Sequence, residues 1–327
     1  MITISIRIFT DSSANLPEEI VRRRNIGVVP LTLTVNGTEM PCYEPDGGFD
    51  GEAFYKRMRA DDKLELKTSM INSAAFLSAF EPCLEAGDDV VYVAMSSGIS
   101  GTYFAGETAA EALRAKYPER SVLTVDTLAA SLGEGLMVLE AAELRDGGAS
   151  AAEIASYLEA RRSQMRQHFM VDDLKYLKRG GRISTVAALA GTLLSLRPIL
   201  TADAEGRIVL DKKIVGRKKA LIALGEIFDD GFADAPENCR AGIAHGGCEA
   251  DAQALADAIC ARHPGVGFTI VCYEPGTGAH VGPDTVALFF WGRGREEKAA
   301  LLASIGAKIA AEAAHIKSEI GNKLHRD

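Results

Sequence analysis

The sequence has no pair of cysteines at C-x-x-C spacing. Its six cysteines, Cys42, Cys83, Cys239, Cys248, Cys260 and Cys272, are scattered, and its six histidines fall in no ligand-like pattern. These absences argue against a structural zinc site and leave the cysteines to be read as free thiols. No apolar run approaches the roughly 20 residues that a membrane span needs. The opening stretch MITISIRIFT alternates Ile4, Ile6 and Ile8 as a strand does, without the charged-then-apolar order of a signal peptide. Positive charge is in deficit, with 36 Lys and Arg against 45 Asp and Glu, so nucleic acid is a poor candidate partner. The expectation is a cytoplasmic chain with no metal, no cofactor and no transmembrane segment.

What remains is a chain of 327 residues, long enough for two cores. Its first half alternates β-rich runs with helical ones, the pattern of βαβ units and a mostly parallel sheet. Strands are predicted at Ile4–Thr10, Val28–Val35, Val90–Met95 and Val122–Asp126. Helices are predicted at Glu18–Arg24, Asp50–Arg59, Ala74–Leu84, Tyr103–Tyr117 and Gly135–Leu144, followed by one from Ala151 to about Gln167 that Ser150 caps. The second half mixes strands at Arg207–Val215, Arg240–His245, Gly267–Tyr273 and Thr285–Trp291 with helices such as Ala250–Arg262. Leu302, Ile305, Ile309, Ile316 and Ile320 mark a docked terminal helix. Two α/β domains are expected, residues 1–165 with the parallel sheet flanked by helices and residues 166–327 with a mixed sheet.

Four loops are polar and glycine-rich beyond what a bare fold needs. Asp11-Ser12-Ser13-Ala14-Asn15-Leu16-Pro17 follows the first strand, and capping of the helix at Glu18 explains most of it. Lys67-Thr68-Ser69 precedes the helix near Asn72 and reads the same way. The third, SSGISGTY from Ser96 to Tyr103, joins a strand to a helix, where orphan N–H groups make a seat for an anion. It has neither the spacing and lysine of a P-loop nor the spacing of a hydrolase nucleophile elbow, and it suits a carboxylate better than a triphosphate. The fourth, Pro275 to Asp284, sets His280 among glycines in a loop between strands, free to approach a ligand. His245 stands at another strand end, a weaker signal of the same kind. Lys178-Arg179-Gly180-Gly181-Arg182 and Gly216-Arg217-Lys218-Lys219 are basic islands in an acidic chain, either solvated faces or a surface for an acidic partner. Ser96, Ser97 or Ser100 with His280 could also form a nucleophile and base, giving a serine hydrolase or acyltransferase. A small carboxylate or phosphate sensor is a third reading.

In order along the chain, TDSSANLP (10–17), VVPLTLTVNG (28–37), KTS (67–69), SSGISGTY (96–103), VDTLAASLGEGL (125–136), VDDLKYLKRGGRIS (171–184), LLSLRPIL (193–200) and GAHVGPD (278–284) resemble the DegV family. That family includes the FakB subunits of bacterial fatty acid kinase. The resemblance implies two α/β domains with a long-chain fatty acid buried near their junction. It implies a carboxylate held by Thr68, Ser96 or Ser97, and His280, with Ser12, Ser69, Arg179 and Arg182 as further ligand or partner contacts. It also implies a non-catalytic role, in which a separate ATP-dependent kinase subunit phosphorylates the bound acid for phospholipid synthesis. Two departures stand out. Met70-Ile71-Asn72 replaces the Gln-Pro that often follows Thr-Ser, and Asp284 stands where glycine is usual, either capping the next element or facing the ligand.

Overall fold

The computed structural model describes residues 5–183, 195–232 and 240–295. Strand β1 (Ile6–Asp11) passes through a 3-10 turn (Ser12–Ala14) into helix α1 (Glu18–Arg23), β2 (Ile26–Val29), β3 (Thr32–Val35), β4 (Thr38–Pro41) and α2 (Gly51–Ala60). Then come β5 (Leu66–Ser69), α3 (Ser73–Glu85), β6 (Asp89–Ala94), α4 (Thr102–Lys116), β7 (Val122–Asp126), α5 (Leu132–Asp146) and α6 (Ala151–Arg161). Strands β2-β1-β6-β7 form a parallel sheet in that order. Val90 to Ala94 of β6 are buried on both faces, as helices packed on both sides of a parallel sheet require. The order reverses direction between β1 and β6, so a crevice opens at their carboxyl ends.

The chain continues through β8 (Met165–Met170), α7 (Lys175–Arg179), β9 (Leu196–Ala202), β10 (Ile208–Val215), α8 (Arg217–Gly231) and β11 (Arg240–His245). It then forms α9 (Glu249–Arg262), β12 (Gly267–Cys272), α10 (Pro275–Val281) and β13 (Val286–Trp291). These strands make a mixed sheet, β10-β9-β8-β13-β11-β12, in which only the β11–β12 pair is parallel. None of the helices among the described residues is long and apolar enough to cross a membrane.

Four elements differ from expectation. The run Val28–Val35 is two strands, because Pro30 supplies no N–H to continue the ladder. β3 turns away to form a small antiparallel sheet, β4-β3-β5, which contains Thr68 and Ser69 as strand residues rather than as a cap. The helix from Ala151 stops at Arg161, since Met165–Met170 is drawn into the mixed sheet between β13 and β9. The glycine-rich segment around His280 is a helix: Pro275 sits at its first turn and the Glu274 carboxylate accepts hydrogen bonds from Gly276 N and Thr277 N. The C-terminal stripe from Leu302 to Ile320, together with Cys239, Ser184 and Leu193–Leu194, lies outside the described residues.

Asn15 and Arg59 are among the side chains that tie the halves together. Asn15, in the left-handed region at φ 55°, donates to Cys272 O (3.0 Å) and accepts from Glu274 N (2.5 Å), so it grips both ends of the β12–α10 joint. From α2, Arg59 reaches Gly246 O, Gly247 O and the Asp284 carboxylate (2.7 Å).

Candidate functional site

A cavity lies between the two sheets. The crevice loops form one wall, with Met95, Ile99 and Ser100 after β6 and Ala130 and Ser131 after β7. The mixed sheet forms the floor. Gln167 and Phe169 alternate on one face of β8, beside Thr201 of β9, Ile208 of β10 and Phe289 of β13. Helix α10 closes the side with Gly276, Thr277, His280 and Val281, and Thr68 and Met70 stand at the rim. Most of the lining is apolar, and Arg182 is the one charged group among the described lining residues.

At one end the Thr68 hydroxyl and His280 Nε2 share a hydrogen bond of 2.6 Å. Burial, then the charge of Arg182, lowers the His280 pKa to about 4, so the ring is neutral near pH 7. With Nε2 protonated, the ring donates to Thr68 and leaves that hydroxyl's hydrogen for an anion. Sequence sets this geometry locally. α7 ends at Gly180, and Gly181 turns the chain at φ 73° so that Arg182 N bonds back to Leu177 O and the Arg182 guanidinium donates to Gly180 O. Gly180 itself packs against the His280 ring, where a Cβ would collide with Nδ1 and come within 2.8 Å of Cε1. The glycine and arginine of one basic island are thereby turned toward the cavity.

The other predicted residues divide. SSGISGTY brings Ser100 to the cavity wall and leaves Ser96 and Ser97 behind it. The Ser96 hydroxyl is fully buried, donating to Gly206 O (3.0 Å) and accepting from Gly98 N, while Ser97 N donates to Asp126 (3.1 Å). Ser12 lines a separate, wider groove whose carboxylates, Glu18, Glu44 and Asp50, would repel an anion, and its hydroxyl accepts from Leu31 N. Ser69 is exposed on β5. Arg179 is exposed and donates to Asp62 O (3.3 Å). In the second island Arg217 is paired internally with Asp172 and Asp251, and Lys218 and Lys219 remain exposed. Asp284 neither caps the next element nor lines the cavity: it occupies the left-handed region at φ 62° and its carboxylate meets Arg59.

The first polar loop has another purpose. Asp11 accepts from Ser13 N, the Tyr92 hydroxyl and Met95 N, and the fully buried Glu134 accepts from the hydroxyls of Thr10 (2.7 Å) and Ser13 (2.5 Å). Burial raises the pKa of both acids, and for Glu134 the charge of Asp11 adds to the effect. This satisfied network braces the loops that form the crevice. Glu134, Ser131, Tyr273 and the β8 face were missed from sequence. For the β8 face a signal existed, the period-two alternation Met165, Gln167, Phe169.

This constellation can hold an anion by hydrogen bonds and one positive charge while sheltering an apolar tail. It is ill-suited to hydrolysis: His280 is a weak base, and its Nδ1 lies against Gly180 with no hydrogen-bond partner among the described residues, where a triad would place an orienting carboxylate.

The family model described as "Uncharacterised protein, DegV family" matches residues 5–293. A DegV domain-containing protein of Clostridium perfringens is 37% identical over 289 residues, covering 88% of this chain and 98% of that relative. A DegV family protein from Thermus thermophilus, solved for its fatty acid binding, superposes with a TM-score of 0.79 at 31% identity, covering 89% of this chain and all of the other. The fatty acid binding protein DegV of Bacillus subtilis gives 0.75 at 30% identity, with the same coverage.

Proposed function

The chain belongs to the DegV family, and from that premise we propose that it binds one long-chain fatty acid, acyl chain in the cavity and carboxylate at Thr68, Ser100, His280 and Arg182. The observation that carries this reading is the pairing of a mostly apolar cavity with Arg182, the one charged group among its described lining residues, and with the hydrogen-bonded Thr68–His280 pair. Each buried CH₂ contributes about 0.8 kcal/mol, so an eighteen-carbon chain supplies on the order of 13 kcal/mol before the cost of association. Charged hydrogen bonds at the head group add roughly 1.5–3 kcal/mol each.

The role is non-catalytic. The bound acid is offered to a separate ATP-dependent kinase subunit, which phosphorylates the carboxylate, and the exposed Arg179 beside the Arg182 turn forms part of the docking face. Such a partnership operates in the cytoplasm, where ATP is supplied. Native mass spectrometry before and after solvent extraction tests the binding role: a stoichiometric fatty acid released intact is expected. An empty protein overturns the reading, and an acyl group that survives denaturation on Ser100 or Thr68 overturns it in favour of acyl transfer. Arg179→Glu tests the docking face, with slower phosphorylation at unchanged fatty acid affinity as the expected result.

A further inference from the structure

We propose that the groove between α1 and the free edge of β12 docks an extended segment of a partner protein, one that carries lysine or arginine and pairs its backbone with β12. β12 ends the mixed sheet, and no strand among the described residues lies beyond it. Successive residues of a strand point their backbone groups to opposite sides. Tyr273 N donates inward to His245 O and Cys272 O accepts from Asn15 on the outer side, so the N–H and C=O groups of Ile270 and Phe268 also face outward. Sheet edges are commonly blunted by proline, charge or a bulge. The opposite edge of the same sheet, β10, has a register shift between Leu210 and Lys212 and then Lys213. On β4, an edge strand whose Met40 and Pro41 line the groove, Pro41 supplies no N–H. β12 reads Gly-Phe-Thr-Ile-Val-Cys and has none of these devices.

The groove beside this edge fits such a segment in surface and in charge. Ile270, Val271 and Cys272 of β12 line it together with Leu16, Val21 and Val28, and so do Met40 and Phe49, which are 40% and 38% exposed. An added strand would gain main-chain hydrogen bonds from β12 and apolar contact from these side chains. No lysine or arginine stands among the described lining residues. Arg22 offsets Glu18, whereas Glu44 and Asp50 make no ion pair among the described residues. The charge therefore favours a cationic segment over a second copy of this chain, because two copies joined edge to edge through β12 would bring two such grooves together. Glu274 and Pro275, at the start of α10, line the groove as well, so its occupant would touch the helix that carries His280.

The test titrates the full chain with a fluorescein-labelled peptide of alternating lysine and valine. Two further forms are methylated on the backbone nitrogen of every valine or of every lysine, which keeps the charge and removes the donors on one side of the strand. The plain peptide is expected to bind, and one of the two methylated forms to bind about tenfold or more weakly. Glu44→Lys, a change at an exposed side chain, should weaken the plain peptide about fivefold, as should added salt. Hydrogen exchange at the Ile270 and Phe268 amides should slow about tenfold when the peptide is bound, with no change along β10. The proposal is overturned if the plain peptide does not bind, if both methylated forms bind as well as it does, or if a glutamate–valine peptide binds equally. It is also overturned if those two amides are protected before any peptide is added, as a second copy or another part of the chain lying on β12 would make them.

Discussion

Gly180→Ala should separate ligand binding from folding. Gly180 has helical dihedrals (φ −72°, ψ −12°), so alanine fits the backbone and reduces the freedom of the unfolded chain, a small stabilising effect. The new Cβ, however, strikes the Nδ1 side of His280, whose opposite nitrogen is already 2.6 Å from Thr68. The ring has no room to slide toward Thr68. It must swing to another rotamer, which breaks the Thr68 bond and disorients the hydroxyl aimed at the carboxylate. Losing one charged hydrogen bond of roughly 1.5–3 kcal/mol weakens fatty acid affinity by about ten- to a hundred-fold. Thermal unfolding should move by no more than a few degrees in either direction. Displacement titration with octadecanoic acid, beside a calorimetric melt, reads both quantities. Native affinity in the variant, or a crystal structure of it with His280 still on Thr68, would refute the reasoning.

Thr68→Val, nearly isosteric, should weaken octadecanoic acid binding about 10-fold while the melting temperature stays within a few degrees, by the same two assays. His280 binds its proton less readily when folded, with a pKa near 4 against 6.5 for the free side chain. Its contribution, about 3 kcal/mol, is therefore present above pH 6.5 and is lost as the pH falls toward 4. Urea unfolding at pH 7 and pH 4.5 should show a larger acid loss for the native chain than for His280→Gln. Asp284→Asn keeps a residue that tolerates the left-handed backbone, and its partly exposed ion pair with Arg59 is worth at most about 1 kcal/mol. A slightly lower melting temperature and fatty acid affinity within about twofold of native are expected. A larger loss of affinity would place Asp284 at the ligand after all. Burial and the charge of Asp11 raise the pKa of Glu134, so it disfavours the folded state increasingly as pH rises above the ordinary carboxyl range, and Glu134→Gln should gain stability relative to native as the pH is raised, read by urea unfolding.

Sequence patterning located the parallel sheet closely, because β6 carries a continuous apolar run and β7 is rich in β-branched residues; Val122–Asp126 agrees residue for residue. Arg240–His245 of β11 does so as well. It failed where long-range pairing overrode local preference. Arg166, Gln167 and His168 continue the helical rhythm of α6, yet the ladder with β13 claims them. The glycines around His280 signalled a loop, and the Glu-Pro pair before them, a capping carboxylate and a first-turn proline, was the contrary sign. At the candidate site, Thr68, His280 and Arg182 stand in recognisable motifs of the sequence, and all three line the one cavity. That Ser100, rather than the expected Ser96 or Ser97, lines the cavity was not legible, since Gly206, 110 residues from Ser96, accepts the Ser96 hydroxyl. Glu134 was invisible for a similar reason: its partners Thr10 and Ser13 come from the other end of the first sheet's chain path.

The grip of Asn15 on Cys272 O and Glu274 N has a consequence for how the chain ages. The Asn15 amide donates to a carbonyl and accepts from an N–H at once; a carboxylate in its place would set oxygen against oxygen at Cys272. Hydrolysis of that single amide would unfasten α10, and with it His280, from the loop after β1 while leaving both sheets intact. An old preparation could then hold its fold and lose its ligand, and the added mass of one deamidation at residue 15 would mark the molecules that had done so.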